Sequence, residues 1–140
     1  MTLQVRTARI SYAGPDRLDI TRKSADDFGL AFAPSWKLLG PALQARAAGA
    51  GELDEDAWRA YVNAYTDEMR ASYRANPNPW GALLALERVV LVCYCTDHER
   101  CHRRVLAGIL VKLGAVDEGE IESAQGTLGF DSAAPTASKD

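Results

Sequence analysis

One stretch, residues 88–115, constrains the fold more than any other part of the chain. It opens with the apolar, β-branched run 89–92, which predicts a strand that is covered on both faces. After a polar turn, apolar residues recur at helical spacing over 105–113, and Gly114 stands where a helix normally ends. A strand that leads through a turn into a helix is the repeating unit of α/β sheets, so the stretch indicates an α/β protein.

Length and composition narrow the class of protein. A chain of 140 residues suits one domain, which we predict to span 1–121, and the weakly apolar end of 122–140 predicts a flexible tail. The net charge of -3 does not favour a nucleic-acid partner, and no apolar run approaches the roughly 20 residues of a membrane span. The odd number of cysteines, 3, favours free thiols in a reducing cytoplasm over a disulfide framework.

The N-terminal half adds elements on either side of the predicted sheet. Residues 4–11 and 18–21 have strand patterns separated by turn residues, which predicts an N-terminal hairpin. Ser35 is a predicted cap for one helix, and Asp54 begins the longest helix with an acidic first turn. We therefore predict a small Rossmann-like α/β domain with a mostly parallel sheet flanked by helices and the hairpin at one edge.

The turn within 93–104 holds all the cysteines and histidines of the chain. In open α/β sheets, ligands bind outside the carboxyl ends of the strands, where this turn lies. Cys101, His102 and Arg103 fall at the first turn of the predicted helix, where backbone amides attract phosphate or carboxylate groups. The pattern predicts His102 as an acid/base or electrophilic residue and Arg103 as a residue that binds the anion.

A metal site is an alternative for the same turn. Cys93, Cys95, Cys101 and His102 are all zinc ligand types. However, Cys101 and His102 are adjacent at a helix start, where neighbouring side chains diverge by about 100°. Neither pair of neighbours has the two-to-four-residue gap of a zinc knuckle, so the spacing predicts no metal ligand here.

A thiol-transfer loop and a purely structural role are further alternatives. Cys95, four residues and then Arg100 before a helix resemble the layout of a rhodanese-like active loop, in which backbone amides lower the thiol pKa. The two carboxylates between them would repel an anionic substrate. Cys93 lies inside the apolar strand, where a small thiol often simply fills the core.

The loop after the first strand is the predicted partner surface of the turn. Arg17 and Arg22 are suited to neutralise a phosphate, and Tyr12 and Trp36 to stack on a base or sugar. The catalytic candidates are thus His102 and Cys101, and the candidate ligand-binding residues are Arg103, Arg17, Arg22, Tyr12, Trp36 and Cys93.

The segment LVCYCTDHERCHRRVLAGIL resembles the C-terminal motif of the bacterial domain-of-unknown-function 488 family. That motif is an apolar strand, a cysteine and a polar turn, followed by Cys-His-Arg at the start of a helix. Cys93, Cys101, His102 and Arg103 occupy the matching positions, and ARISYAGPDRLDITRKS, FAPSW and EMRASYR resemble one branch of the family. The resemblance extends to about Glu120 and implies a Rossmann-like domain in a bacterial cytoplasmic protein. It implies no particular reaction, and relatives that replace Cys101 while keeping His102 favour the histidine.

Together these patterns predict an enzyme that acts on a small anionic ligand, nucleotide- or nucleoside-like, at residues 93–104. A non-enzymatic domain that binds nucleic acid or a protein is an alternative, as is a metal or rhodanese-like thiol site. An enclosed site with an aligned histidine would favour catalysis, whereas a flat basic surface would favour binding. The sequence leaves the cofactor open.

Overall fold

The computed structural model describes residues 2–48, 54–94 and 100–121, and the predicted tail 122–140 lies outside them. Two strands are followed by four helices, and a strand-helix-strand unit completes the described chain. In chain order the elements are β1 Gln4–Arg9, β2 Arg17–Asp19, α1 Asp27–Leu30, α2 Trp36–Ala48, α3 Glu55–Ala75, α4 Asn78–Leu84, β3 Arg88–Cys93, α5 His102–Lys112 and β4 Val116–Glu120.

The strands form one parallel sheet in the order β2-β3-β1-β4. The central pair is the most regular, with β1 and β3 in register from Gln4 opposite Arg88 to Arg9 opposite Cys93. β2 and β4 add parallel edges. The parallel sheet with flanking helices confirms the predicted architecture, which is that of a small Rossmann-like domain.

The predicted N-terminal hairpin is wrong. β2 pairs in parallel with β3, and β3 separates it from β1. Residues 10–16 therefore form a link that carries the chain back across the sheet, and its residues Ile10 and Tyr12 pack against Val90 and Val92. A hairpin would leave that face of β3 in water, whereas the link covers it. This packing overrides the local turn signal, which indicates a change of direction but not the partner strand.

The two faces of the sheet are buried by different parts of the chain. Val89 and Leu91 of β3 belong to the large core with the helices, whereas Val90 and Val92 pack under the 10–16 link. The prediction of a strand covered on both faces is thus confirmed. The helical side of the core comes mainly from α3, α4 and α5, through Tyr61, Tyr65, Met69, Trp80, Leu83, Leu106, Ala107 and Leu110.

Local signals set most helix boundaries as expected. The Asp54 carboxylate accepts a hydrogen bond of 2.7 Å from the Ala57 amide and caps α3. The Ser35 hydroxyl accepts one from the Leu38 amide at the start of α2. Gly114 follows α5 with φ 110°, the left-handed conformation that ends many helices. No helix in the described ranges is both long enough and apolar enough to cross a bilayer.

Candidate functional site

Four residues of the predicted turn lie together at the carboxyl edge of the sheet. Cys93 is the last residue of β3, Cys101 is the N-cap of α5, and His102 and Arg103 are the first two residues of that helix. All four are buried. Cys93 points to the helical side because side chains alternate along a strand and Leu91 faces that side.

The two thiols and the imidazole converge on one point. One ligand atom each from Cys93, Cys101 and His102 lies within 4.8 Å of the other two. The sulfur atoms contact each other, although the two Cα atoms are 8.0 Å apart, and His102 Nδ1 is 3.9 Å from Cys101 Sγ. The expectation that Cys101 and His102 diverge is wrong, because Cys101 has the extended backbone of an N-cap, φ -142° and ψ 149°, and not helical angles.

A backbone carbonyl sets the orientation of the His102 ring. Nε2 lies 2.9 Å from the Ile20 carbonyl oxygen, which can only accept, so Nε2 carries the hydrogen. In the neutral imidazole the lone pair is then on Nδ1, the nitrogen that faces Cys101. The Tyr65 ring packs edge-on against the imidazole, with 5.6 Å between the two ring centres. Burial raises the pKa of Tyr65 well above its ordinary value, so its hydroxyl stays a neutral donor to the Phe32 carbonyl.

Arg103 is wholly buried and contacts both sulfur atoms. Its Nε and Nη2 donate to the two carboxylate oxygens of Glu120 at 3.1 and 2.9 Å. Its Nη1 lies 3.0 Å from Cys93 Sγ and 3.5 Å from Cys101 Sγ. The Glu120 carboxylate therefore balances the charge of Arg103, while the Arg103 guanidinium is directed at both sulfur atoms.

Glu120 is a site residue that sequence reasoning missed. It lies on β4, whose sequence VDEGE is poor in strand-forming residues and predicts no strand. Thr7 donates a hydrogen bond of 2.5 Å to Glu120, and Arg104 donates to Thr7 at 3.0 Å and pairs with Asp117. The usable signal is that Asp117, Glu118 and Glu120 follow a helix whose first turn contains two arginines, Arg103 and Arg104.

A β-bulge in β4 decides which way Glu120 points. Val5 pairs with Asp117, but the next residue of β1 pairs with Gly119, so one extra residue lies between. Gly119 has φ 93°, a conformation that favours glycine. Because side chains alternate along a strand, the extra residue changes the face on which Glu120 lies.

Hydrogen bonds to one carboxylate hold the loop after β2 against His102. Asp19 accepts from the Thr21 amide at 2.9 Å, the Thr21 hydroxyl at 2.6 Å and the Ser24 hydroxyl at 2.5 Å. Burial alone would raise the pKa of Asp19, but the hydrogen bonds from Ser24 and Thr21 outweigh it and lower the pKa below its ordinary value. Asp19 thus stays ionised and keeps the adjacent Ile20 carbonyl in place.

The outer rim of this loop carries an exposed aromatic ring and a cation. The Tyr94 hydroxyl donates to the Ser24 hydroxyl at 2.9 Å, and Lys23 Nζ lies 5.8 Å from the centre of the Tyr94 ring. Tyr94 directly follows β3 and half of it is exposed. The rim therefore offers a ring face and a positive charge beside the buried cluster.

The structure does not bring Tyr12 and Arg17 to the cluster. Both lie on the link side of the sheet, opposite the helices. Arg17 donates to the carbonyls of Tyr12 and Ile10 at 2.8 and 3.0 Å, and Tyr12 lines an open cavity of about 560 Å³ with Arg6 and Arg88.

The other two residues predicted for this loop, Arg22 and Trp36, are placed near the start of α2. Arg22 donates to the carbonyls of Pro34 and Ala33 at 2.9 and 3.1 Å, which ties the loop after β2 to the start of α2. Trp36 is the first residue of α2 and is 59% exposed.

Of the rhodanese-like pair, Cys95 lies outside the described residues. Arg100 forms an ion pair of 2.9 Å with Glu55 at the start of α3.

Comparison with known proteins identifies the family. A family model, DUF488-N3a, described as "Active DUF488-N3 subclade", matches residues 3–114. The match includes Cys93, Cys101, His102 and Arg103 and ends before Glu120. Neither the curated proteins nor the solved structures include a significant match. Because the family model covers most of the chain, this protein belongs to the DUF488 family.

Proposed function

We propose that this protein is an enzyme that acts on a small anionic substrate at the carboxyl edge of its sheet. Cys101 and His102 supply the reacting groups, together with Cys93. Arg103 and Glu120 are positioning residues that hold the sulfur atoms in place. The role of Arg103 thus differs from direct substrate binding, because Glu120 neutralises its charge.

One observation carries this proposal: two thiols and an imidazole with a set tautomer converge within 4.8 Å in a buried cluster. Burying histidine and arginine costs free energy, and proteins tolerate such clusters mainly where they perform chemistry. Each orienting contact comes from a different element, namely the loop after β2, α3 and β4. A cluster that many elements position is typical of a reaction centre rather than of a flat binding surface.

The surroundings favour an anion and, among anions, a nucleotide or nucleoside derivative. The positive end of the α5 dipole meets the cluster at Cys101. Parallel α/β sheets bind such ligands at this edge. The exposed Tyr94 ring with Lys23 beside it is suited to stack on a base while the cation contacts a phosphate.

The family description agrees with a catalytic role, since it calls the matching subclade active. We also infer a bacterial cytoplasmic setting, in which a reducing environment keeps such thiols available for chemistry.

A thermal-shift screen of nucleotides, nucleosides, sugar phosphates and inorganic phosphate tests the proposal. A ligand at 100 times its dissociation constant adds about 2.7 kcal/mol, which raises the melting temperature by roughly 5–10 °C. We expect at least one anion to do so with the wild-type protein and to lose the effect with Cys101→Ser and with His102→Gln.

Arg17→Ala serves as a control because its side chain lies on the opposite face of the sheet, and this variant should keep the shift. A ligand that stabilises all the variants equally would show that binding occurs outside the cluster. If no anion raises the melting temperature of the wild-type protein, the proposed substrate class is wrong.

A further inference from the structure

We propose that Cys93, Cys101 and His102 bind a divalent metal ion of the zinc type. The inference rests on the proposed function, because it names the group that would meet the anionic substrate at the same site. Thiolate sulfur and imidazole nitrogen are the donors that select zinc among the common divalent ions. The three donor atoms lie within 4.8 Å of one another, close enough to share one ion.

The separation of the two cysteines suits a shared ion better than a disulfide. Their Cα atoms are 8.0 Å apart, beyond the range of about 4.4–6.8 Å that disulfides span. An ion that contacts each sulfur at about 2.3 Å bridges a longer gap. Cys93 at the end of a strand and Cys101 at a helix N-cap approach from two different elements, so both sulfur atoms reach one point although their backbones stay far apart.

The hydrogen bond from His102 to the loop after β2 is a second, independent observation. Histidines that ligate metals usually donate the other ring N–H to a carbonyl or carboxylate, which sets the tautomer and the orientation of the ring. Here Nε2 donates to the Ile20 carbonyl at 2.9 Å and Nδ1 lies 3.9 Å from Cys101 Sγ. The ring is therefore held with its lone pair towards the two sulfur atoms.

The charges around the cluster also fit a divalent ion. Two thiolates and the Glu120 carboxylate carry three negative charges, and Arg103 carries one positive charge. A divalent ion brings the sum to zero, which matters because the cluster is buried and an uncompensated charge there is costly. The N–H groups of Arg103 near both sulfur atoms act as the outer shell of such a site.

Three protein ligands leave one position of a tetrahedral ion for water or substrate. Such three-ligand sites are the catalytic type of zinc site, whereas structural sites are closed by a fourth protein ligand. An ion in this position would polarise an oxygen of the anionic substrate or activate a bound water. It would supply the positive charge that Arg103, neutralised by Glu120, does not offer to a substrate.

Titration of the full-length, chelator-treated protein with Co²⁺ tests the inference, because cobalt replaces zinc and its thiolate bonds absorb light. We expect a 1:1 complex with thiolate-to-cobalt absorption that one equivalent of Zn²⁺ abolishes. Cys93→Ser, Cys101→Ser and His102→Gln should each weaken Co²⁺ binding by more than about 10-fold, since even outer-shell losses cost 10–100-fold. The two serine variants should also lose part of the thiolate absorption.

Two further variants separate lost ligation from lost folding. Tyr65→Phe perturbs the buried packing beside His102 without removing a ligand atom, and it should keep the 1:1 complex. His102→Cys replaces one ligand by another and should bind with stronger thiolate absorption. If wild-type protein forms no 1:1 complex, or if the serine variants give the wild-type spectrum, the metal assignment is wrong.

Two results distinguish failure of the metal site from failure of the proposed function. Absence of a 1:1 metal complex, combined with an anion that raises the melting temperature only when His102 is present, overturns the metal site but leaves the enzyme proposal intact. A 1:1 metal complex whose spectrum no anion alters, combined with an empty ligand screen, supports the metal site and removes the proposed substrate class.

Discussion

At the scale of single residues, the pairing of Arg103 with Glu120 determines how the cluster is held. A buried charge is tolerated only when a partner balances it and its hydrogen bonds are satisfied. Arg103 has no exposed side-chain surface, and Glu120 exposes only 8% of its own. The pair joins α5 to β4, and Arg103 also contacts both sulfur atoms. It therefore affects both the stability of the fold and the position of the sulfur atoms.

We expect Glu120→Gln to lower the free energy of unfolding by about 3–5 kcal/mol, because it leaves the buried guanidinium without a counter-charge. Urea denaturation measures the loss. Asp67→Asn is the matched control, because it breaks an exposed ion pair: the Arg70 side chain is 57% exposed and the Asp67 side chain 75%. This variant should lower the free energy of unfolding by less than about 1 kcal/mol. Equal losses in the two variants would contradict a special role for the buried pair.

At the scale of elements, the four-residue helix α1 decides where the loop after β2 lies. Its carboxylate cap, Asp26, accepts from the Gly29 amide at 2.9 Å. A Cβ atom on Gly29 would lie 1.9 Å from the Asp19 carbonyl oxygen, so the helix packs directly on the backbone that precedes Ile20. Since the Ile20 carbonyl orients His102, this short helix supports the cluster.

We expect Gly29→Ala to destabilise the protein by roughly 1–3 kcal/mol, because the methyl group forces the loop backbone to move. Gly108→Ala is the control, since it meets no atom within 4 Å in α5 and should be neutral or stabilise by up to about 1 kcal/mol. Thermal unfolding measures both. We expect faster alkylation of Cys101 in the Gly29 variant only, and unchanged thiol reactivity there would contradict the proposed link between this helix and the cluster.

At the scale of the whole molecule, β4 closes the domain. It pairs with β1 at the edge of the sheet and brings Glu120 to the buried Arg103. Ile121 packs against the smaller core beneath the 10–16 link. We propose that the domain spans 1–121, since residues 132–140 have little apolar surface to bury.

We expect a chain that ends at residue 121 to melt at the same temperature as the full chain. A chain that ends at residue 115 removes an edge strand and the counter-charge of Arg103, and it should lose its cooperative transition. Circular dichroism melts of the two shortened chains provide the comparison. A clear drop in melting temperature on removing 122–140 alone would show that the tail packs on the domain.

The local order of the strand, turn and helix in 88–115 could be predicted from the sequence because burial leaves a repeating pattern along the chain. The apolar run 89–92 and the helical spacing over 105–113 are signals of this kind, and the structure confirms both elements. The same patterns also placed Cys101, His102 and Arg103 at the carboxyl edge of the sheet, which is where they lie.

Only the tertiary structure decided which parts of the chain meet. The pairing of β2 with β3, the approach of Cys93 to Cys101, and the contacts of Glu120 with Arg103 and of Ile20 with His102 join residues that lie apart in sequence. A local pattern records which side of an element is buried but not what buries it. The partner is chosen by the packing of the whole sheet, by one bulge in β4 and by the cost of leaving a buried charge unbalanced.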